Sequence, residues 1–302
     1  MKAHFAEVDY TIGPVSPEAV WPGVVEKDTM WCYPTEGSFK LRMRQVRNNY
    51  SKWLKKAKTL QEWVREEFGY DKMHKQLSFS INMPDPALMV PVGDLPKISI
   101  ITSVYDGDEY IRPFLEDITR QTIFEDKCEL ILINANSPGN EEEVIQEYLD
   151  KYPDNIIYKR LDKDPGLYAV WNMGVKMSSG EYITNANLDD RKAPNALEMH
   201  AKELFVNEDI DLVYANMAIT HEPNETHEEN SSDGRHYNFP DFSLENLKMT
   251  NMPHSAPMWK REYHNKYGYF DESYRSAGDW ELWLRGATEG SKFKKIYSIL
   301  GL

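Results

Sequence analysis

The sequence contains only two cysteines among its 302 residues, Cys32 and Cys128. They lie far apart, with no CxxC motif and no neighbouring histidine pattern, which argues against a disulfide scaffold and against structural zinc. No segment approaches the ~20 consecutive apolar residues of a membrane-spanning helix, and the first residues lack the apolar stretch of a secretory signal. We therefore expect a cytoplasmic protein without a transmembrane segment, while peripheral attachment to a membrane stays open.

Positive charge is also scarce. The chain has 35 Lys and Arg residues against 49 Asp and Glu residues, which gives a formal net charge of −14. An acidic surface repels nucleic acid and anionic lipid, so we expect no nucleic-acid partner. An anionic small ligand would therefore need a local device, such as a metal ion or a helix N-terminus.

The chain changes character near residues 84–96, where four of thirteen residues are proline. Proline interrupts regular hydrogen bonding, so we predict a domain boundary here, with a mainly helical extension and linker over residues 1–95 and a second domain over 96–302. Within residues 38–77, apolar residues at helical spacing alternate with Lys and Arg, which predicts two amphipathic helices. Solvation explains their basic face more simply than a partner or a membrane does.

After the boundary, short apolar runs rich in β-branched residues alternate with helical segments. This alternation predicts an α/β fold with a mostly parallel sheet covered by helices on both faces. The polar stretch from His221 to Asp241 predicts a disordered surface loop, because its histidine and glutamate spacing matches no metal-ligand pattern. The predicted strands cover residues 98–105, 128–134, 155–161, 181–187 and 211–219.

Two adjacent carboxylates, Asp189 and Asp190, follow one of these strands. Aspartate is common in turns, so the pair is explained either by a turn or by a cation site that holds a phosphate-bearing ligand. Asp279 opens an amphipathic helix, where it is either a helix cap or a functional carboxylate. Sheets of this class bind ligands beyond the carboxyl ends of their strands, and the pair lies at such an end.

Taken in order, several stretches resemble glycosyltransferase family 2, whose fold is GT-A, over about residues 97–300. The matching stretches are "ISIITSVYDGDEYI", "DPGLYAVWNMGVKMSSGEYI", "NLDDRKAPNAL", "NMPHSAPMWKRE" and "YRSAGDWELWLR". The resemblance implies an inverting transfer of a sugar from a nucleotide-diphosphate sugar to a hydroxyl of a glycan or glycoconjugate acceptor, as in polysaccharide biosynthesis. Residues of about 20–75 resemble the C-terminal helices of a GT-B glycosyltransferase, so we expect a piece of a longer, multi-domain enzyme.

The resemblance also implies roles for individual residues. Asp190 is expected to bind a divalent cation, Mn²⁺ or Mg²⁺, while Asp189 contacts ribose or supports the metal site. His254 is expected either to add a metal or phosphate contact or to be a buried, hydrogen-bonded histidine. Asp279 is the expected general base, which accepts the proton of the acceptor hydroxyl. The expected nucleotide contacts are Thr102, Tyr105, Glu109, Asn134, Asp164, Asn172 and Asp189.

Two positions depart from the family pattern. Asn134 replaces an aspartate that accepts a hydrogen bond from uracil, so UDP remains the favoured donor nucleotide but with an altered contact. Ala169 replaces a second aspartate. These departures support the alternative of a non-catalytic nucleotide-sugar-binding or scaffolding domain. A nucleotidyltransferase would need a glycine-rich phosphate loop and a dinucleotide dehydrogenase a GxGxxG motif, and the sequence has neither.

Overall fold

The computed structural model of the chain describes residues 6–21, 24–68, 86–254 and 257–302. It divides into two compact units, Met1–Pro84 and Asp85–Leu302. The division lies before the boundary predicted after residue 95, because Val90 and Leu95 are buried in the core of the second unit. Lys127 strengthens this attachment by donating hydrogen bonds to the carbonyl oxygens of Gly93 and Leu95, each at 2.7 Å.

The first unit contains a β-hairpin followed by two helices. Strands β1 (Tyr10–Pro14) and β2 (Met30–Pro34) pair antiparallel, and helices α1 (Glu36–Asn48) and α2 (Tyr50–Phe68) follow. The structure therefore has both predicted helices, although predicted helical residues 69–77 lie outside the described part. The hairpin was not predicted. Val15 and Ser38 are buried, whereas the other residues of this unit whose burial the structure describes are at least partly exposed.

The second unit is built on one mixed sheet. The described residues form eight strands in it, in the order β10-β7-β9-β6-β3-β4-β5, with β8 paired to β7. Strand β9 runs antiparallel to β6 and β7, and β8 runs antiparallel to β7, while all other pairs are parallel. The strands are β3 (Ile98–Val104), β4 (Cys128–Asn134), β5 (Ile156–Arg160), β6 (Tyr182–Asn185), β7 (Leu212–Ala218), β8 (His236–Tyr237), β9 (Met258–Lys260) and β10 (Phe293–Gly301).

Helices cover both faces of this sheet, as the alternation predicted. They are α3 (Ile111–Thr119), α4 (Phe124–Lys127), α5 (Glu141–Lys151), α6 (Leu167–Met177), α7 (Ala196–Val206), α8 (Leu244–Met249), α9 (Tyr263–Tyr267) and α10 (Gly278–Thr288). Helices α3, α5 and α7 pack on one face, against residues such as Ile100 and Leu132. Helices α6, α9 and α10 pack on the other, against Ile101 and Ile183. Successive residues of a strand therefore face different helix layers.

The stretch from His221 to Asp241 has a defined conformation instead of the predicted disorder. Strand β8 extends the sheet, and the Glu225 carboxylate accepts hydrogen bonds from the backbone N–H and hydroxyl of Ser231, at 2.9 and 2.8 Å. Short polar side chains that hydrogen-bond their own backbone order such loops without a hydrophobic core. Among the residues that the structure describes, no helix is both long and apolar enough to cross a membrane.

Two buried histidines predict how stability depends on pH. Burial lowers the pKa of His200 and of His264 to about 4, and His264 accepts a hydrogen bond from the Trp259 indole at 3.0 Å as a neutral ring. An unfolded histidine titrates near pH 6.5, so between these values the unfolded chain binds more protons. The contribution of the two neutral histidines to the free energy of unfolding is therefore fully present above pH 6.5. It is lost as the pH falls toward 4, by about 1.4 kcal/mol per pH unit for each histidine.

Urea unfolding at pH 7, 6 and 5 measures this dependence. The free energy of unfolding should fall over this range, and His200→Gln should remove a large part of the slope because glutamine does not titrate. A slope that is the same in the variant and the natural protein would contradict the assignment of His200.

Candidate active site

The acidic pair lies in the turn between β6 and α7, where Asp189 is exposed and Asp190 is half-buried. Asn187 donates a hydrogen bond from Nδ2 to Asp190 Oδ2 at 2.7 Å. Burial, followed by the charge of Asp189, raises the pKa of Asp190 to about 6, and Lys192 and Arg191 oppose this shift. The ionised pair is thus destabilised in the protein alone, and a bound cation would relieve the repulsion.

Arg191 fixes the shape of this turn. Its guanidinium is buried and donates to the carbonyl oxygens of Leu188 and Asp190, both at 2.8 Å. Its backbone N–H and carbonyl exchange hydrogen bonds with Leu302 after β10, each at 2.9 Å. The turn that carries the acidic pair is therefore held by the Arg191 side chain and by backbone hydrogen bonds to Leu302.

A third carboxylate, that of Asp279, lies in the first turn of α10. Its Oδ2 accepts a hydrogen bond from Asn251 Nδ2 at 2.7 Å, and its Oδ1 accepts one from the Tyr168 hydroxyl at 3.3 Å. The same hydroxyl accepts the Gly278 backbone N–H at 2.7 Å. Ala277, just before the helix, has a left-handed φ of 59°, a costly conformation for a residue with a Cβ atom. Several contacts thus hold this carboxylate in one orientation.

Asp279 opens into a pocket of about 280 Å³ on the face covered by α6 and α10. Asn187, which holds Asp190, lines the same pocket, so the pocket joins the general-base candidate to the acidic turn. A shallower groove of about 470 Å³ runs along α10 past Trp280 and Tyr274, and Ala277 lines both spaces. The main lining residues of the pocket are Tyr168, Trp171, Asn185, Asn187, His254 and Asp279.

The structure places His254 in this pocket as well. Its ring lies against the rings of Tyr237 and Phe239, with centroids 5.7 and 5.8 Å away. Loss of solvent around the imidazole lowers the pKa of His254, and the charge of Asp279 opposes this shift. A neutral imidazole at neutral pH can act as a hydrogen-bond partner or as a metal ligand.

Tyr105 and Glu109 are exposed in the loop that follows β3. This loop is fastened to the loop after β4 by the buried Glu141, whose Oε1 accepts the Gly107 N–H at 2.7 Å and the Ser137 hydroxyl at 2.6 Å. Burial opposes ionisation of this carboxyl, but the hydrogen bonds from Ser137 and Gly107 outweigh it and lower the pKa of Glu141. The two loops are therefore fixed to each other, and Tyr105 and Glu109 lie on the first of them, beyond the carboxyl ends of the strands.

The structure does not bring Thr102 and Asn134 into the pocket. Both side chains are completely buried on the face covered by α3 and α5, and Asn134 Oδ1 accepts the Ser137 N–H at 2.7 Å. Ser103 is partly exposed and lies on the same face as Ile101, which packs with Tyr168. Because side chains alternate along a strand, Thr102 and Ser103 face different helix layers.

Two further predicted nucleotide contacts have structural partners. Asn172 is buried and pairs with the backbone of Phe270, donating to its carbonyl at 2.9 Å and accepting its N–H at 3.0 Å. This amide therefore anchors the segment that leads into α10. Asp164 is exposed before α6 and accepts the Gly166 N–H at 2.7 Å. Ala169, one of the departures from the family pattern, is buried in α6.

Sequence reasoning also missed three residues that shape the pocket, namely Tyr168, Asn187 and Asn251. Tyr168 and Asn187 lie inside the stretches that carry the family resemblance, and that position was their only signal in the sequence. Asn251 likewise opens one of these stretches, but its contact with Asp279 joins residues 28 positions apart, so no local pattern indicated it. Within the described ranges, no three His, Cys, Asp or Glu side chains converge to hold a metal ion.

Comparison with known proteins identifies the family. The profile described as Glycosyl transferase family 2 matches residues 99–268, more than half of the chain. The chain therefore belongs to glycosyl transferase family 2 and is a glycosyltransferase. It is 28% identical over 213 residues to an uncharacterized glycosyltransferase of Methanocaldococcus jannaschii, a match that covers 70% of this chain and 72% of that protein.

Solved structures confirm the GT-A type of fold. TarS residues 1–349 of S. aureus, in complex with UDP, superimposes with a TM-score of 0.56 at 18% identity, covering 68% of this chain and 59% of TarS. The mannosyltransferase PcManGT of Pyrobaculum calidifontis, in complex with GDP-Man and Mn²⁺, has a TM-score of 0.54 at 16% identity, covering 78% of this chain and 65% of that protein. At these identities the likeness concerns the fold alone.

Proposed function

We propose that the protein transfers a sugar from a nucleotide-diphosphate sugar to a hydroxyl of a glycan or glycoconjugate acceptor, with inversion at the anomeric carbon. One observation carries the proposal: Asn187 lines the pocket that contains Asp279 and also hydrogen-bonds Asp190 at 2.7 Å. A proton acceptor and a phosphate-binding turn are needed on opposite sides of the transferred sugar, and this arrangement supports both.

In the proposed reaction, Asp279 accepts the proton of the acceptor hydroxyl as its oxygen attacks the anomeric carbon. The bond between that carbon and the diphosphate oxygen breaks, and the diphosphate leaves with the electron pair. Attack from the face opposite the leaving group inverts the configuration at the anomeric carbon. Tyr168 and Asn251 keep Asp279 aimed at the pocket, so the carboxylate does not have to reorient during the reaction.

The acidic turn suits a divalent cation, Mn²⁺ or Mg²⁺. Asp189 and Asp190 would hold it, and one or two protein carboxylates with substrate phosphates and water are the usual ligand set for such ions in these enzymes. When bound, the cation supplies Lewis-acid stabilisation of the charge on the diphosphate. The raised pKa of Asp190 supports the fit, because burial and the charge of Asp189 both disfavour the ionised carboxyl in the protein alone. His254 lies in the pocket beside Asp279, where we assign it a phosphate or metal contact.

UDP is the proposed donor nucleotide, since TarS, which shares the fold, has been solved in complex with UDP and with UDP-GlcNAc. Tyr105 at the end of β3 is the proposed stacking partner of the base, with Glu109 and Asp164 beside the ribose. We assign Thr102, Asn134 and Asn172 supporting roles behind this surface, because their side chains are buried. The Asn134 amide accepts a hydrogen bond that braces a loop, so this position has a structural role. Its departure from the family pattern is therefore a weaker argument for a non-catalytic scaffold.

Calorimetric titration of the protein with UDP, in Mn²⁺ and in EDTA, tests the proposal first. We expect micromolar binding in Mn²⁺ that weakens by about tenfold or more in EDTA, because the cation bridges the turn and the diphosphate. A panel of UDP-glucose, UDP-galactose, UDP-GlcNAc and GDP-mannose is then assayed for release of the nucleoside diphosphate. Failure of all these nucleotides to bind would overturn the proposal and favour a scaffolding role.

A further inference from the structure

The loop of residues 220–232, which follows β7, contacts the acidic turn through the Asn224 side chain. Arg191 Nη2 donates to Asn224 Oδ1 at 2.6 Å, while Asn224 Nδ2 donates to the Glu109 carbonyl at 3.0 Å. Asn224 thus bridges the turn after β6 and the loop after β3. These are the two strand-end segments that carry the proposed nucleotide and metal contacts.

The other arm of Arg191 explains how this bridge reaches the acidic pair. Its Nη1 donates to the carbonyls of Leu188 and Asp190, the residues on either side of Asp189. The guanidinium is a rigid plane, so fixing one of its nitrogens on Asn224 fixes the other on the turn. Asn224 therefore sets the position of Asp189 and Asp190 without touching either.

A second connection runs from the same loop to the same turn. Glu228 pairs with Arg120 at 2.8 Å, and Arg120 in turn contacts Asp117 at 3.2 Å. The buried Asp117 accepts the Lys192 backbone N–H at 2.9 Å. The loop thus reaches two consecutive residues after the acidic pair, Arg191 and Lys192, by separate routes.

The backbone at Asn224 is also unusual. Its φ of 60° lies in the left-handed region, which asparagine tolerates better than most residues. Hydrogen bonds inside the loop, such as the Ser231 N–H to the Glu225 carboxylate at 2.9 Å, connect the residues that follow it. The loop is therefore a preformed support, with Asn224 at its point of contact.

We propose that Asn224 is a positioning residue for the acidic turn, which it locks to the loop after β3 through Arg191. The inference builds on the proposed function, because the turn is assigned there to the cation and the diphosphate. Asn224 itself contacts neither the acidic pair nor Asp279. Through Arg191, the loop after β7 nevertheless sets how tightly the nucleotide and Mn²⁺ bind together.

Three variants test the role. Asn224→Gly removes the side chain and keeps the positive φ accessible. Asn224→Asp keeps an acceptor for Arg191 but removes the donor to Glu109. Asn230→Gly is the matched control, because the hydrogen bonds of Asn230 to described residues stay within the loop, at Thr226, His227 and Ser232. Each variant is titrated with UDP at fixed Mn²⁺ and with Mn²⁺ at fixed UDP.

We expect Asn224→Gly to raise the half-saturating Mn²⁺ concentration about tenfold, the effect of losing one hydrogen bond to a charged group. Asn224→Asp, which keeps the bond to Arg191 but loses the bond to Glu109, should show a smaller rise, and Asn230→Gly should show none. Equal effects of Asn224→Gly and Asn230→Gly would show a merely structural loop and would overturn the inference.

Amide hydrogen exchange without any ligand separates this inference from the proposed function. Asn224→Gly should speed exchange in residues 106–111 and 188–193, the two segments that Asn224 joins, whereas Asn230→Gly should leave both unchanged. This result is expected even if UDP does not bind. Unchanged exchange in both segments would refute the positioning role.

Discussion

Asp279→Asn is expected to lower kcat by about 10²–10⁴-fold, the usual contribution of a general base, while leaving the affinity for UDP and Mn²⁺ nearly unchanged. The asparagine has the same shape, and its oxygen can still accept the Asn251 amide while its nitrogen donates to the Tyr168 hydroxyl. The fold around α10 is therefore preserved, and only the ability to take a proton is lost. Transfer from the best donor of the panel measures kcat, and calorimetry measures the binding.

Asp271→Asn is the matched control for this variant. Asp271 is exposed in the segment before α10, where it accepts the Ser273 N–H at 2.9 Å, a contact that an amide oxygen can also make. Its replacement should leave kcat unchanged. If Asp279→Asn kept its natural turnover, another group would have to take the proton, and the role given to Asp279 would be wrong.

The sheet and its helices were predictable because the relevant signals are local. Short β-branched runs alternate with amphipathic segments, and the structure has a strand or helix at each predicted place, from β3 (Ile98–Val104) to α10 (Gly278–Thr288). The hairpin of the first unit gave no comparable signal. Its strands β1 and β2 are mostly exposed on both faces, so no alternation of apolar and polar residues marks them.

Parts of the site were not predictable because they depend on strand register and on contacts distant in sequence. Thr102 and Ser103 have chemically similar side chains, so the sequence does not distinguish them. The alternation along β3 places only Ser103 on the face of the sheet that packs with Tyr168. Asn172 was predicted from its stretch alone, whereas its hydrogen bonds to Phe270 join residues 98 positions apart. Such pairings follow from tertiary packing, which a single sequence does not display.

The opposite effects on binding and stability make Asp190→Asn the sharpest test of the acidic turn. The variant should weaken UDP binding in Mn²⁺ by on the order of 100-fold, since even partners behind metal ligands contribute 10–100-fold. Above pH 6 it should also stabilise the ligand-free protein, by roughly 3 kcal/mol. The raised pKa of about 6 means that the ionised carboxyl destabilises the fold, and this penalty exists above pH 6 and disappears as the pH falls toward 3.8.

Thermal unfolding and calorimetry on the same samples measure both effects. The neutral amide can keep the contact with Asn187, because its oxygen still accepts the Nδ2 hydrogen bond. Asp154→Asn, at an exposed carboxylate, should change neither quantity. Weaker binding with a lower melting temperature would indicate a damaged fold, whereas weaker binding with a higher one supports a carboxylate kept in an unfavourable place for its ligand. Unchanged binding would remove Asp190 from the proposed cation site and leave Asp189 alone to hold the ion.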